Sequence, residues 1–510
     1  MKVKGILMVA LCLLCTGCTN VNTPPAPASS GAGEATPKGE KTTMTESAEA
    51  TVSPNSAGTS ISRTNDPKLT TATNQSTKTT NVPAPVTQAT TTVSVVENSL
   101  KIMLNRYTKL RKTTDLRPRF GEAVPGAWTE LAPFVLKTDN SYKAIITTKL
   151  SGIFNLNPGK TIFDKDAYDI GSGTMITGPA YLTADGQMIP PAKVPAAPYW
   201  RRNYGSVFGT FVNGGNLYAI IHGENKNEIV NGVKYDNNIR PAGTHYSDAE
   251  YSGAGSDGVY RDAWEHYFNF LNIQWAPLDK LQTRGSLLKN DLGPILWPTD
   301  GYVFDFGGQT HQACDGLRHP SVLVDNGYIY VFYLDSSKGN GGLMFAARAP
   351  LSTGGVPGSF KKYYKGSFSE PGLPEGFNKD DRRFLYMGGG KSTPIISCNN
   401  PVRFQVARLK GTPYYVSVQE EITASGFNTI YLRVSKDLVN WSQPVEIPGI
   451  AVSGWKDGNL HDPLLYNSDF SSSTDVDASN FYIVGTSMAA DAQGWPVTQY
   501  IQVDITVSEK

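Results

Sequence analysis

The chain has 510 residues and a formal net charge of +1, because 46 Lys and Arg residues face 45 Asp and Glu residues. This near-neutral balance argues against nucleic acid or a strongly anionic surface as a partner. The 25 Tyr, 20 Phe, 8 Trp and 50 Gly residues are interleaved along the chain, and long charged helical patterns are scarce. That composition predicts an all-β domain with many turns.

The first 18 residues, MKVKGILMVALCLLCTGC, predict an address for the protein. Two lysines precede an apolar run from Ile6 to Leu14, and small residues precede Cys18. This is the layout of a secretory signal peptide, and it is too short for a transmembrane helix. The ending Cys15-Thr16-Gly17-Cys18 resembles a lipobox, in which the final Cys is lipidated. We expect a lipid-anchored, extracytoplasmic protein of the cell envelope, at the cell surface or outer membrane. An ordinary cleaved signal or an uncleaved anchor is the alternative.

Residues 19–98 have a different composition from the rest of the chain. They are rich in Thr, Ser, Pro and Ala and contain few aromatic residues. Such a segment cannot bury enough apolar surface to offset its loss of conformational entropy, so it is predicted to be a disordered tether. Residues 99–510 then form the folded part, which we expect to be monomeric.

One hairpin pattern recurs along the folded part. A polar residue, usually followed by Pro, leads an apolar strand; a turn follows, and then an aromatic-rich strand that ends on polar residues. The copies are Tyr204–Asn225, Gly316–Asp335, Cys398–Glu421 and Leu460–Thr486. A weaker fifth lies at Ile176–Ile189, which could equally be part of the copy at Tyr204–Asn225. Alternating segments between the copies predict outer strands at Tyr267–Pro277, Gly341–Arg348 and Asn428–Gln443. This repeat is typical of propeller blades, and its irregular spacing leaves a two-sheet β-sandwich as the alternative.

Two of these segments resemble a known superfamily. RHPSVLVDNGYIYVFY, from Arg318, and SKDLVNWS, from Ser435, are similar to strand segments of five-bladed glycosidase propellers. On these motifs the chain resembles glycoside hydrolase family 43 and the arabinanase-like superfamily. The resemblance implies a five-bladed β-propeller that hydrolyses glycosidic bonds. Its relatives place a water-activating Asp directly after the Arg, and this chain has His319 there.

Glycoside hydrolysis normally requires one protonated carboxyl group and one ionised carboxylate. The starts and ends of inner strands converge at one face of a propeller, so acids at those positions are the candidates. We expect Glu224 to be the general acid and Asp462 the base, with Asp335 helping to set charge and orientation. The other candidates are Glu420, Glu421 and Glu370, and each of these acids could also be a solvated turn residue.

Sugar recognition uses hydrogen-bonding polar side chains and aromatic faces. The residues predicted to bind substrate are Arg318, His319, His222, His461, Trp264 and Asn400. The three histidines among them could instead fasten neighbouring blades. They lack the local spacing of a metal motif, so no metal site is predicted.

The remaining special residues give weaker signals. Cys314 and Cys398 each precede an inner strand of the repeat, and in an extracytoplasmic protein such a pair is predicted to form a disulfide. Asp475 and Asp477 hint at a structural Ca²⁺ loop, and no other cofactor is expected.

Two functions are consistent with these features. The first is a surface-anchored glycoside hydrolase that acts on extracellular polysaccharide or oligosaccharide through carboxylate acid–base chemistry. The second is a non-catalytic propeller lipoprotein that binds glycan or docks another envelope protein, which His319 in place of an Asp favours. The relative positions of Glu224, Asp335 and Asp462 discriminate between them.

Overall fold

The computed structural model describes residues 98–111, 131–138, 141–147, 150–162, 164, 166–183, 198–225, 228–230, 233–235, 267–302, 314–336, 343–398, 401–422, 428–448, 460–490 and 496–509. The signal peptide with Cys18 and the tether up to residue 97 lie outside the described residues, as do Trp264 and Asn400. None of the helical segments in the described ranges has the length and hydrophobicity to cross a membrane.

The described residues are built almost entirely from β-strands. In chain order the strands are β1 (Leu100–Arg111), β2 (Leu131–Thr138), β3 (Ser141–Thr147), β4 (Ser151–Leu156), β5 (Tyr168–Thr177), β6 (Tyr204–Asn213), β7 (Asn216–Asn225), β8 (Glu228–Val230), β9 (Val233–Tyr235), β10 (Tyr267–Pro277), β11 (Asp291–Leu296), β12 (Cys314–Asp325), β13 (Tyr328–Asp335), β14 (Leu343–Pro350), β15 (Lys361–Tyr364), β16 (Ser367–Pro371), β17 (Ile396–Ser397), β18 (Pro401–Leu409), β19 (Tyr415–Ile422), β20 (Asn428–Ser435), β21 (Val445–Glu446), β22 (Leu460–Asn467), β23 (Asp475–Val476), β24 (Phe481–Ala490) and β25 (Pro496–Glu509). Short 3-10 helices lie at Tyr199–Arg201, Leu278–Lys280, Leu288–Asn290, Leu351–Thr353 and Arg382–Tyr386.

Twenty-one of these strands form five antiparallel blades, while β8 pairs with β9, β17 with β14, and β23 in parallel with β18. From the innermost strand outward, blade I is β2-β3-β4-β5, blade II is β6-β7-β10-β11 and blade III is β12-β13-β14-β15 with β16 beyond. Blade IV is β18-β19-β20-β21, and blade V is β22-β24-β25-β1. A short parallel pairing of β10 with β12 joins the edges of blades II and III.

The five innermost strands contact one another in a closed ring. β2 contacts β6, β6 contacts β12, β12 contacts β18, β18 contacts β22, and β22 returns to β2. Apolar residues of neighbouring blades pack between them, as Phe332 of blade III does against Phe404 of blade IV. A sandwich of two sheets has no such ring. The fold is therefore the predicted five-bladed β-propeller.

The first described strand, β1, completes the last blade at its outer edge. β1 pairs with β25 over almost its whole length, from Leu100 opposite Glu509 to Arg111 opposite Gln499. The segment that directly follows the predicted tether thus becomes the outermost strand of the last blade. Leu100, Ile102 and Leu104 of β1 pack against the core between blades IV and V.

The hairpins predicted at Tyr204–Asn225, Gly316–Asp335, Cys398–Glu421 and Leu460–Thr486 are the inner pairs of blades II to V. The fifth copy was placed wrongly. The described part of Ile176–Ile189 lies at the end of β5, the outermost strand of blade I, whereas the inner pair is β2-β3. The sequence contains part of the repeat pattern at this inner pair, because Ala132-Pro133 precedes an apolar strand.

Each innermost strand carries a bulge near its start. The pairing register shifts between Leu131 and Phe134, Val207 and Gly209, Arg318 and Ser321, Pro401 and Arg403, and His461 and Leu464. In blades III and V the residue before the proline, His319 or Asp462, adopts a left-handed φ of 48°. Such a conformation costs about 1–3 kcal/mol in a residue other than Gly, so the surrounding structure must enforce it.

Candidate active site at the channel mouth

The predicted acids lie at the same face of the propeller. Innermost strands start at this face and second strands end there, as the pairing of Tyr204 with Glu224 shows in blade II. Glu224 lies near the end of β7, Asp335 ends β13, and Asp462 lies near the start of β22. All three side chains are buried. The bulges place His319 and Asp462 at the corresponding positions of blades III and V.

The structure brings two of the predicted histidines together. The ring centroids of His222 and His319 lie 5.4 Å apart, and Phe208 stacks on His319 with centroids 5.7 Å apart. The Nε2 atom of His222 lies 2.9 Å from Oδ1 of Asn269. Both rings are buried. This packing fastens blade II to blade III, which is the structural role that the sequence left open for these histidines.

A buried arginine, which the sequence analysis did not single out, binds the bulges of two blades. Arg403 of blade IV has no solvent exposure, and its Nη1 and Nη2 atoms donate to the carbonyl oxygens of Pro320 and Phe208 at 2.9 and 3.0 Å. Both acceptors lie within bulges, where the residues leave the regular ladder. Arg403 therefore satisfies carbonyl groups that the bulges take out of the strand pairing.

The arginine also provides charge. Burial lowers the pKa of Arg403 to about 10, while the nearby carboxylates of Asp462 and Glu420 act in the opposite direction. Since the guanidinium remains protonated at neutral pH, it is a fixed positive charge between the carboxylates and the aromatic ring of Phe208, whose centroid lies 5.2 Å away. Its only signal in the sequence is its place two residues after Pro401.

In blade V, Asp462 is held by a neighbouring blade. The backbone N–H of Asp462 donates to Oε2 of Glu420 at 2.8 Å, and Nδ1 of His461 lies 2.8 Å from Oε1 of the same carboxylate. The Nε2 atom of His461 is 3.3 Å from Oδ2 of Asp462. One imidazole thus lies between two carboxylates, and Glu420 of blade IV contacts both residues at the blade V bulge.

Asp462 is the most perturbed acid of this cluster. Burial raises the pKa of Asp462 to about 6; the charge of His461 lowers it, that of Glu420 raises it, and Arg403 and Arg318 lower it. Its Oδ1 atom is buried and has no hydrogen-bond partner among the residues that the structure describes. A buried carboxylate oxygen in this state requires an explanation, and catalytic sites are a common one.

Glu224 lies further toward the channel mouth on blade II. It is two residues after His222, so both side chains project from the same face of β7. The rise of a strand places it about 6.6 Å beyond that histidine. Glu224 is buried and pairs across the ladder with Tyr204. Tyr204 interacts electrostatically with Arg403, so this part of blade II lies near the charged cluster around Arg403.

Asp335 has a different neighbour from the one expected. Its charge acts on Lys362, a fully buried lysine that donates to the carbonyl oxygens of Trp297 and Gly390. Burial lowers the pKa of Lys362 to about 8, and Asp335 opposes that shift. The charged groups that act on Asp462 are His461, Glu420, Arg403 and Arg318. Glu420 is therefore a carboxylate whose charge acts on Asp462, and the role expected for Asp335 stays a prediction.

The disulfide predicted between Cys314 and Cys398 stays a prediction, because the side chain of Cys314 lies outside the described residues. Cys314 begins β12, whereas Cys398 follows β17, and β13 and β14 lie between these strands. Burial raises the pKa of the Cys398 thiol well above its ordinary value.

The described side chains do not support a Ca²⁺ site at Asp475 and Asp477. Oδ1 of Asp475 accepts from Arg408 at 3.1 Å, and Oδ1 of Asp477 accepts from the backbone N–H and hydroxyl of Ser479. Across the described ranges, no group of three or more His, Cys, Asp or Glu side chains is arranged to hold a metal ion.

No protein-family model matches the chain, and no curated protein matches it. Among solved structures, the chain is similar to the catalytic domain of a GH62 α-L-arabinofuranosidase from Coprinopsis cinerea, with 11% identity and a TM-score of 0.38 over 78% of this chain and 97% of that chain. It is also similar to a family 117 glycoside hydrolase of Zobellia galactanivorans, with 10% identity and a TM-score of 0.36 over 78% and 90%. Likenesses this distant carry no argument about function. The fold assignment rests on the strand pairing described above.

Replacing Arg403 by Met should destabilise the propeller by about 3–5 kcal/mol. Two buried carbonyl groups lose their hydrogen-bond donor, and the buried carboxylates of Asp462 and Glu420 lose a compensating positive charge. Urea unfolding of the variant and the wild type measures the difference. Lys436→Met removes an exposed ion pair with Glu509 and should leave stability nearly unchanged. Equal effects of the two substitutions would contradict the role given to Arg403.

Replacing Asp462 by Asn should stabilise the protein at pH 7. The unfolded chain ionises this acid near pH 3.9, and the folded protein does so near pH 6. Stability therefore falls as pH rises from 4 to 6, and above pH 6 the full cost of the buried charge is present. The variant lacks that charge and should gain about 2–3 kcal/mol at pH 7, a gain that shrinks toward pH 4.

Urea unfolding at pH 4.5 and pH 7 measures this pH dependence. Asp477→Asn is the control, because the hydrogen bond from Ser479 lowers the pKa of Asp477. Asp477 is ionised in both the folded and the unfolded chain above about pH 4, so the stability difference of that variant from the wild type should be the same at both pH values. An Asp462→Asn protein whose stability difference from wild type is the same at both pH values would contradict the raised pKa.

Proposed function

We propose that the protein is a glycoside hydrolase that cleaves extracellular polysaccharide or oligosaccharide at the channel mouth of its propeller. The observation that carries the proposal is the state of Asp462. This carboxylate is buried, has a raised pKa, adopts a strained backbone conformation and keeps one oxygen outside the hydrogen-bond network of the described residues. Strained backbone and perturbed acids cluster at functional sites.

Asp462 is the base in this proposal and Glu224 the general acid. A carboxylate with a pKa near 6 is a stronger base than an ordinary Asp, yet it remains mostly ionised at pH 7. Its Oδ1 atom, which has no hydrogen-bond partner among the described residues, would accept a proton from water. Glu224 projects toward the channel mouth from blade II, where it would protonate the leaving oxygen. Arg318, whose charge acts on Asp462, would hydrogen-bond sugar hydroxyls.

A non-catalytic glycan-binding propeller is the second candidate, and one observation favours it. His319 has the position where the resembled motif has its water-activating Asp, and its ring stacks on Phe208 and contacts His222. An imidazole packed in this way fastens two blades and does not project to a substrate. In this case the acids of the channel mouth would bind sugar hydroxyls without cleaving.

Hydrolysis is tested with the soluble chain from about Val93, by reducing-end release and binding on a panel of plant, algal and microbial polysaccharides. We expect release by the wild type, with kcat/KM falling below about pH 6 as Asp462 is protonated. Glu224→Gln and Asp462→Asn should each bind the same polysaccharide but release at least about 100-fold less. Binding without release by the wild type would replace this proposal with the glycan-binding one.

We also propose that the protein is anchored in the cell envelope by lipid on Cys18. The support is the lysine-led apolar run and the lipobox-like ending of the first 18 residues. Membrane fractionation of cells that express the full chain is the test. The wild type should sediment with membranes and incorporate labelled fatty acid, whereas Cys18→Ser should do neither. Label that persists in the variant would contradict the assignment.

A further inference from the structure

A carboxylate of blade IV fixes the geometry of Asp462 from outside its own blade. Glu420 has no solvent exposure and pairs across the ladder with Arg403 and Ile430. Its Oε2 atom accepts the backbone N–H of Asp462 and its Oε1 atom contacts Nδ1 of His461, both at 2.8 Å. Both carboxylate oxygens are therefore used on two consecutive residues of the neighbouring blade.

These contacts act where the backbone is strained. Asp462 has a φ of 48° and precedes Pro463, a combination that neither residue favours. The bulge takes Asp462 out of the regular pairing with β24, so its N–H needs another acceptor. Glu420 provides that acceptor, and a hydrogen bond to an ionised carboxylate is stronger than one to a neutral group.

The same carboxylate also orients His461. The Nδ1 atom lies 2.8 Å from Oε1 of Glu420, and the Nε2 atom lies 3.3 Å from Oδ2 of Asp462. The imidazole is thus held between the two acids, beside Oδ2 of Asp462. This leaves Oδ1 as the oxygen of Asp462 without a hydrogen bond among the described residues.

Blade III provides an internal comparison. His319 occupies the corresponding bulge with the same φ of 48°, but the residue that faces it from the preceding blade is His222, whose ring lies 5.4 Å away. In blade V the bulge residue is an acid, and the facing residue is also an acid, despite the repulsion between like charges. Two adjacent carboxylates are an unfavourable way to fasten blades, and a histidine pair does so in blade III.

From these contacts we infer that Glu420 is a positioning residue for the reaction: it holds Asp462 in its left-handed conformation and directs Oδ1 into the channel. The inference rests on the proposed function in that it names the residue on which the geometry of the proposed base depends. Arg403 and Arg318, the other charged groups that act on Asp462, offset the negative charge of the pair.

The test uses Glu420→Gln in the full chain, with Asp325→Asn as the control. Asp325 is also a buried acid and accepts from Arg408 and Tyr415, but it ends β12, away from the face at which that strand starts. Glu420→Gln should lower kcat about 10–100-fold and change KM by less than about twofold, because binding groups stay in place while the base is misdirected. Asp325→Asn should change neither.

A second readout does not depend on activity. Hydrogen exchange of the Asp462 amide should be slow in the wild type and at least about tenfold faster in Glu420→Gln, because a neutral amide oxygen replaces the ionised acceptor and binds the N–H more weakly. Glu420→Asp keeps the charge but is too short for both contacts, and it should give intermediate values in both measurements. It also serves if the Gln variant does not fold.

Unchanged kcat together with unchanged amide exchange in Glu420→Gln would overturn the inference, as would equal effects of Asp325→Asn. Failure of the proposed function has a different signature. In that case Asp462→Asn would retain the activity of the wild type, or neither protein would release sugar. Faster exchange in Glu420→Gln would still support the hold on Asp462, and unchanged exchange would still contradict it.

Discussion

The centre of this propeller depends on one buried guanidinium. Five innermost strands converge at the channel, and each has a bulge that takes backbone groups out of the ladder. Arg403 donates to the carbonyl groups of two of these bulges, Phe208 and Pro320, from a third blade. Its positive charge also offsets the negative charges of Asp462 on the fifth blade and of Glu420 on its own blade. Four of the five blades therefore meet at a single side chain, which allows two carboxylates to lie buried and adjacent at the channel.

The bulges of blades III and V share one backbone conformation but differ in the contacts of their side chains. In blade III the histidine at the left-handed position packs against Phe208 and His222, and its contacts are those of a structural residue. In blade V an aspartate has this conformation with an incompletely satisfied carboxylate, held by Glu420 and beside His461. A propeller whose blades share one bulge geometry can thus place its reactive acid on one blade and use the equivalent position of another for packing.

The sequence was sufficient for the fold because hairpins are local. An apolar strand, a turn such as Asn326-Gly327 and an aromatic strand can be recognised within about 20 residues, and four of the five inner pairs were located in this way. The contacts of the site were not predictable, because they join residues far apart in sequence. Nothing near Glu420 indicates that it binds Asp462, and nothing near Asp335 indicates Lys362.

The central claim is that the site is organised around a buried, incompletely hydrogen-bonded Asp462. The most direct measurement is a pH titration of its side-chain carboxyl by carbon NMR, with the resonance assigned by its loss in Asp462→Asn. The structure predicts an inflection near pH 6, well above that of an ordinary Asp. An inflection near pH 4 would mean that the carboxylate is solvated or fully hydrogen-bonded, and it would contradict this description of the site.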